Sequence, residues 1–116
     1  MNYIYHIINA EEWEQISKMN YYAPSSLVSE GFIHFSYKDQ MNDVLQRFYK
    51  QEENLMVIKV DINKLESELK IEEVLDHGHF PHLYGELNLN AVVETTKVIK
   101  DNQGMIGMNE GLNRSE

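Results

Sequence analysis

The stretch "NLMVIKVDI" (54–62) constrains the fold more than any other part of this chain. Its apolar, β-branched centre reads as a strand that has to be buried, with Lys59 emerging near its end. A buried strand needs partners, and the chain offers several shorter ones. "YIYHII" (3–8) reads as a strand buried on at least one face, and "FIHFS" (32–36) as a second. "KIEEVL" (70–75) mixes polar and apolar positions, and "NAVVETTKVIK" (90–100) is dominated by Val, Thr and Ile. Two helices lie between these strands in the N-terminal half. Asn9 reads as the N-cap of "AEEWEQISKM", with Glu12 completing a variant of the capping box and Trp13 and Ile16 on one side. Ser36 reads as the cap of "YKDQMNDVLQRFYKQ", whose apolar residues at 37, 41, 44, 45 and 48 keep helical spacing. "YYAPSSLVSEG" (21–31) reads as a loop, "NKLESEL" as a short helical turn, and "DHGHFPHLYG" (76–85) as a histidine-rich loop.

The order β-α-β-α-β-β-β indicates one α+β domain over residues 1–100 and not a regular βαβ array. A length of 116 residues also suits one core. From Asp101 onward periodicity is lost and three glycines appear, so residues 101–116 are expected to form a flexible C-terminal tail.

Charge and cysteine content exclude whole classes of function. Ten Lys+Arg against nineteen Asp+Glu give a formal net charge of −9. Such a surface repels phosphate backbones, and no Lys/Arg cluster offsets it, so nucleic acid is not an expected partner. There is no cysteine, which removes disulfides, a thiolate nucleophile and thiolate-bound zinc. No window approaches the roughly 18 apolar residues of a membrane span. The start "MNYIYHIINAEEWE" lacks the basic region of a signal peptide. A cytoplasmic location without a membrane partner is the expectation.

The histidines carry the chemistry. His77, His79 and His82 fall within six positions, around Phe80-Pro81. A His-x-His pair can place two ligands on one face, with Asp76 or His82 as a third, but this spacing is no zinc signature. No metal is expected, and exposed imidazoles on a turn are the simpler reading for His77 and His79. Pro81 stiffens the backbone entering His82, Phe80 anchors it and Gly85 permits a sharp exit, so His82 is expected in a site. His6 and His34 sit inside apolar strands. Alternation puts His6 with Ile4 and Ile8, and His34 with Phe32 and Ser36. One such histidine is ordinarily a core residue with a satisfied hydrogen bond. Two of them, with His82, point to rings converging on a cleft, because polar groups on buried strands cost free energy unless paired.

Other catalytic signatures are missing. There is no Gly-x-Ser-x-Gly elbow, Ser25, Ser26 and Ser29 have no assigned base, and no Gly-rich loop joins a strand to a helix. Glu72 and Glu73 point to opposite faces of a strand, so at most one reaches a shared site.

Taken in order, "IYHI", "APS...SEGFIHFS" and "FPHLYG" resemble the domain-of-unknown-function 952 family of small, mostly bacterial proteins, from about Tyr3 to Val98. That family is similar in fold to the ADP-ribosyltransferases. The resemblance therefore implies a split, strongly bent β-sheet whose cleft holds NAD in the active relatives. It implies that His6 binds the nicotinamide-side ribose, and that His34 and Ser36 lie by the nicotinamide. At the third place, where active relatives often carry Glu to stabilise a ribosyl cation, it offers His82 or Glu73, with Tyr84 near the rim. The implied catalytic set is His6, His34, His82 and Glu73, and the implied cofactor-binding set is His6, His34, Ser36 and Tyr84. Two functions follow. One is an NAD-dependent ADP-ribosyltransferase or glycosidase-like enzyme; the other is a non-catalytic module holding a small nucleotide-like or anionic ligand.

Overall fold

A computed structural model describes residues 2–100 and the backbone of 106–108. The N-terminal half runs β1 (Tyr3–Asn9), α1 (Ala10–Ile16), β2 (Tyr21–Tyr22), α2 (Ser25–Ser29), β3 (Ile33–His34) and α3 (Met41–Phe48). The C-terminal half is β4 (Leu55–Asp61), β5 (Glu68–Val74), β6 (Gly78–Tyr84), β7 (Leu87–Asn88), β8 (Val92–Lys100) and β9 (Ile106–Met108). All pairings between these strands are antiparallel: one sheet is ordered β1-β4-β8-β9, a second β3-β6-β5, and β2 pairs with β7.

β4 explains the architecture. It lies between β1 and β8, in the register Ile7↔Val57 and Val57↔Thr96. Its side chains alternate between two cores, so both faces are covered. Ile58 and Val60 join Ile4, Ile8, Phe35 and Leu83 on one side, while Leu55 and Val57 join Tyr5, Ile7, Met41 and Leu45 on the other. Lys59 does not emerge as its position in the sequence suggests. It is buried, with Nζ 3.6 Å from Glu94 and 4.4 Å from the ring centre of Tyr3. An ammonium can stay there because its charge is met by a carboxylate and an aromatic face.

The two larger sheets meet where β3 ends. Phe35 still donates to the carbonyl of Pro81 at 3.0 Å, and then the chain crosses to β1. There Ser36 and Tyr5 exchange two backbone hydrogen bonds of 2.8 Å. Pro81 accounts for the change of partner. In a strand the N and C=O of one residue point the same way, so the missing N–H of Pro81 faces β3 and not β5. The β5 ladder continues past Pro81, whereas β3 loses a donor and departs. A split sheet results.

Several local expectations change. The stretch 21–31 holds a third helix, α2, where a loop was expected. It ends because Gly31, at φ +90°, turns its N–H back to the carbonyls of Ser26 and Leu27. α1 is capped by Asn9 as its sequence indicates, through the N–H groups of Glu11 and Glu12, but it stops at Ile16 and leaves Met19 exposed. α3 begins at Met41, after a 3-10 turn at Lys38–Gln40 in which Gln40 accepts from the N–H of Tyr37. Ser36 is therefore the bridge residue and not the helix cap. Most of the supposed histidine loop is the strand β6. Only 75–77 turn, with Asp76 at φ +68°, a conformation Asp tolerates. The expected tail, 101–116, lies outside the described residues except for Ile106–Met108, which pair with β8.

Candidate functional site

α3 and the outward face of β3-β6-β5 enclose a cleft of about 490 Å³. Val44 and Phe48 of α3, with Tyr49 beyond it, form one wall. Phe32, His34, Phe80, His82 and Val74 form the other, and Ser36 lies at the sheet junction. Alternation selects those residues: Phe32, just before β3, and His34 lie two positions apart, as do Phe80 and His82 in β6. His34 and His82 are direct cross-strand partners. Their ring centres are 5.5 Å apart, and Phe32 stacks on His82 at 4.0 Å and 17° while meeting His34 edge-on at 4.8 Å.

Each of the two rings has its own carboxylate. Nδ1 of His82 donates to Oε1 of Glu72 at 2.8 Å, and the hydroxyl of Tyr84 donates to the same oxygen at 2.6 Å. These bonds, Tyr84 first and then His82, hold the Glu72 carboxyl below the usual carboxylate range. The bond to Glu72 pushes the Tyr84 hydroxyl up. With Nδ1 committed to an acceptor, Nε2 of His82 is the nitrogen left for another group. It has no partner among the described residues, and no buried side-chain nitrogen or oxygen among them is unsatisfied, so Nε2 opens onto the cleft. On the exposed side, Nε2 of His34 donates to Oε1 of Glu30 at 2.9 Å, leaving Nδ1 as its second nitrogen.

His6 has another place. It shares the face of Ile4 and Ile8, packs on Tyr22 and Phe35 and does not line the cleft. Its Nδ1 donates to the backbone carbonyl of His34 at 2.6 Å, and its Nε2 lies 3.2 Å from the Tyr22 hydroxyl. A carbonyl only accepts, so the proton sits on Nδ1 and Nε2 accepts from Tyr22. Burial pushes His6 down to about 4, outweighing the bond to the His34 carbonyl, which acts in the opposite direction. His6 is therefore neutral at pH 7 and holds the backbone of β3 in place behind His34.

The structure thus brings His34, Ser36 and His82 to one cleft, with Tyr84 beside it, and places His6 behind it. Glu73 is exposed and aligned with His79, on the opposite face of β5 from Glu72. His77 is exposed and closes one end of the cleft, 5.5 Å from the ring of Phe48. His79 is exposed, and its carbonyl accepts from Gln40. Glu30, Phe32 and Glu72 are outside the expected set, although alternation already puts Phe32 on the face of His34 and leaves one place to Glu72 or Glu73. Glu30 was visible four residues before His34; the role of Glu72 needed the hairpin register. Among the described residues no three His, Asp or Glu side chains are grouped to hold a metal. Nor is any described helix long and apolar enough to cross a membrane.

Comparison with known proteins supports the same architecture. The crystal structure of protein CC0527 from Caulobacter crescentus superposes with a TM-score of 0.81, at 24% identity, over 98% of this chain and 99% of that one. The solution NMR structure of the same protein gives 0.79 at 25% identity, over 97% of each chain. No curated protein matches the chain significantly. The profile of the family described as "Protein of unknown function (DUF952)" matches residues 7–95, from the residue after His6 to the middle of β8. The chain belongs to the DUF952 family.

Proposed function

We propose that the cleft takes the base-and-ribose end of a nucleotide such as NAD, and that the protein is an ADP-ribosyltransferase- or glycosidase-like enzyme with His82 as its general base. The observation that carries this reading is the Glu72–His82 pair, which leaves Nε2 open to an aromatic cleft. A carboxylate on Nδ1 fixes the tautomer and steadies the imidazolium formed when Nε2 takes a proton. Phe32, Phe80 and Phe48 offer ring faces to a planar base, and the volume lies in the usual range for small-ligand sites, roughly 300–1,000 Å³. The split sheet supports an ADP-ribosyltransferase-like frame, with Ser36 and His34 beside the base. Glu72 supplies the acidic group for which Glu73 is the sequence candidate, and Tyr84 steadies it. His6 acts through the backbone of His34. Among the described residues neither Lys nor Arg lines the cleft, so the phosphates of NAD would remain outside it.

The non-catalytic reading keeps one observation in its favour: Glu72 faces His82 and Tyr84 and is not among the lining residues, and Glu30, the carboxylate that does line the cleft, is bonded to His34. Saturation-transfer NMR and thermal shift with NAD, ADP-ribose and nicotinamide test both readings. Binding with nicotinamide release, lost in His82→Gln, is expected for the enzyme. Binding without release makes the cleft a ligand-holding module, and no binding to any of the three removes both.

A further inference from the structure

Nicotinamide joined to ribose is a cation that leaves as a neutral molecule, so its departure requires no proton. The cleft nevertheless carries two carboxylate–histidine pairs. Glu72 is bonded to Nδ1 of His82, and Glu30 to Nε2 of His34. Opposite nitrogens are tied, and each ring keeps one nitrogen for another partner. Both rings line one cleft, 5.5 Å apart, with Phe32 against each. Two proton-handling groups so close suit a reaction that takes one proton and gives another on the same substrate.

A nucleoside has that requirement. Its base leaves as an anion unless a ring nitrogen is protonated, while the attacking water must lose a proton. The charge of the cleft points the same way. Among the described residues no Lys or Arg lines it, and Glu30 stands half-exposed beside His34, an arrangement that disfavours phosphate.

We propose that the preferred substrates are uncharged N-ribosyl heterocycles, nucleosides without phosphate, hydrolysed with His82 as general base and His34 as general acid. This rests on the N-glycoside reading above and narrows it to leaving groups that need a proton. Water forms a bond to C1′ and its proton passes to Nε2 of His82. The C1′–N bond breaks, its electron pair goes to the base, and a base nitrogen takes the Nδ1 proton of the His34 imidazolium. Ribose and the neutral base are released; His82 returns its proton to solvent, and His34 regains one. Glu72 and Glu30 are positioning residues, each orienting its imidazole.

The test measures ribose release from inosine, adenosine and uridine by the full chain, beside nicotinamide release from NAD. p-Nitrophenyl riboside is added because its leaving group departs without protonation. Wild type should hydrolyse at least one nucleoside with a higher kcat/KM than NAD. His34→Gln should lower kcat/KM on that nucleoside by roughly 10²–10⁴-fold, the usual worth of a general acid. Its loss on p-nitrophenyl riboside should be at least about 100-fold smaller, a split that a general packing defect would not produce. Circular dichroism and the melting temperature establish that the variant is folded. Equal losses on both substrates overturn the acid role of His34. Nicotinamide release without nucleoside cleavage overturns this proposal and leaves the enzyme reading standing. Nucleoside binding without cleavage overturns it and favours the ligand-holding module. Neither binding nor turnover with any probe overturns both.

Discussion

His6 and His82 are both mostly enclosed, yet their surroundings give them opposite tasks. His6 has both nitrogens engaged and is held down to about 4, so in the folded chain it stays neutral until the pH falls towards 4. Its unfolded value is near 6.5, so between about pH 6.5 and 4 the unfolded chain binds more protons than the folded one. The contribution of His6 is therefore fully present above pH 6.5 and is lost as pH falls towards 4, on the order of 3 kcal/mol in all. Urea unfolding at pH 7 and pH 5 should show wild type losing more stability than His6→Gln over that interval, and the His6 ring should not titrate above pH 5 by NMR. A midpoint near 6.5 would remove this account of His6. Glu72 belongs to the same scale. Glu72→Gln can offer its amide nitrogen to His82 in the wrong sense, so the share of His82 carrying its proton on Nδ1 should fall and turnover should drop by at least about tenfold. An unchanged tautomer in ¹⁵N spectra would mean that Glu72 does not set the orientation of His82.

Two short features of the elements decide where the site forms. Gly31 ends α2 and turns the chain into β3, spacing Glu30 four residues from His34. Gly31→Ala forces a side chain into positive φ, at a cost of about 1–2 kcal/mol. The melting temperature should fall by roughly 4–8 °C per kcal/mol, and the His34 ring should lose its fixed contact with Glu30. Pro81 is fully buried and frees β3 to cross to β1. Pro81→Ala removes buried methylenes and frees the unfolded chain, so unfolding should become easier by about 1–3 kcal/mol. A neutral or stabilising result would count against Pro81 as the cause of the split.

At the scale of the whole molecule, what the sequence makes legible depends on the range of the interactions involved. β1, β4 and β8 are readable because each is a long apolar or β-branched run whose burial is local information. β6 is not, because Pro81 and two histidines interrupt its pattern, and only the partner strand β5 shows that "HFPHLY" alternates. α2 has five residues and little apolar content, so its serines and proline read as loop. The grouping of His34, Ser36 and His82 follows from alternation once the strands are known. The choice of Glu72 over Glu73 does not, because it depends on a three-residue turn setting the β5–β6 register. His6 is legible as a polar group on a buried strand, but only the fold shows that its nitrogens are spent on Tyr22 and on the carbonyl of His34.

The claim that one cleft between α3 and β3-β6-β5 is the functional site is tested most directly by mapping amide and imidazole shifts. The chain is titrated with NAD and with inosine. We expect saturable changes concentrated at Phe32, His34, Ser36, Phe80 and His82, absent in His82→Gln, while that variant keeps the wild-type spectrum elsewhere. Changes confined to other surfaces, such as the Met19–Asn20 edge beside Asn88 and Asn90, or no saturable change with either ligand, would contradict it.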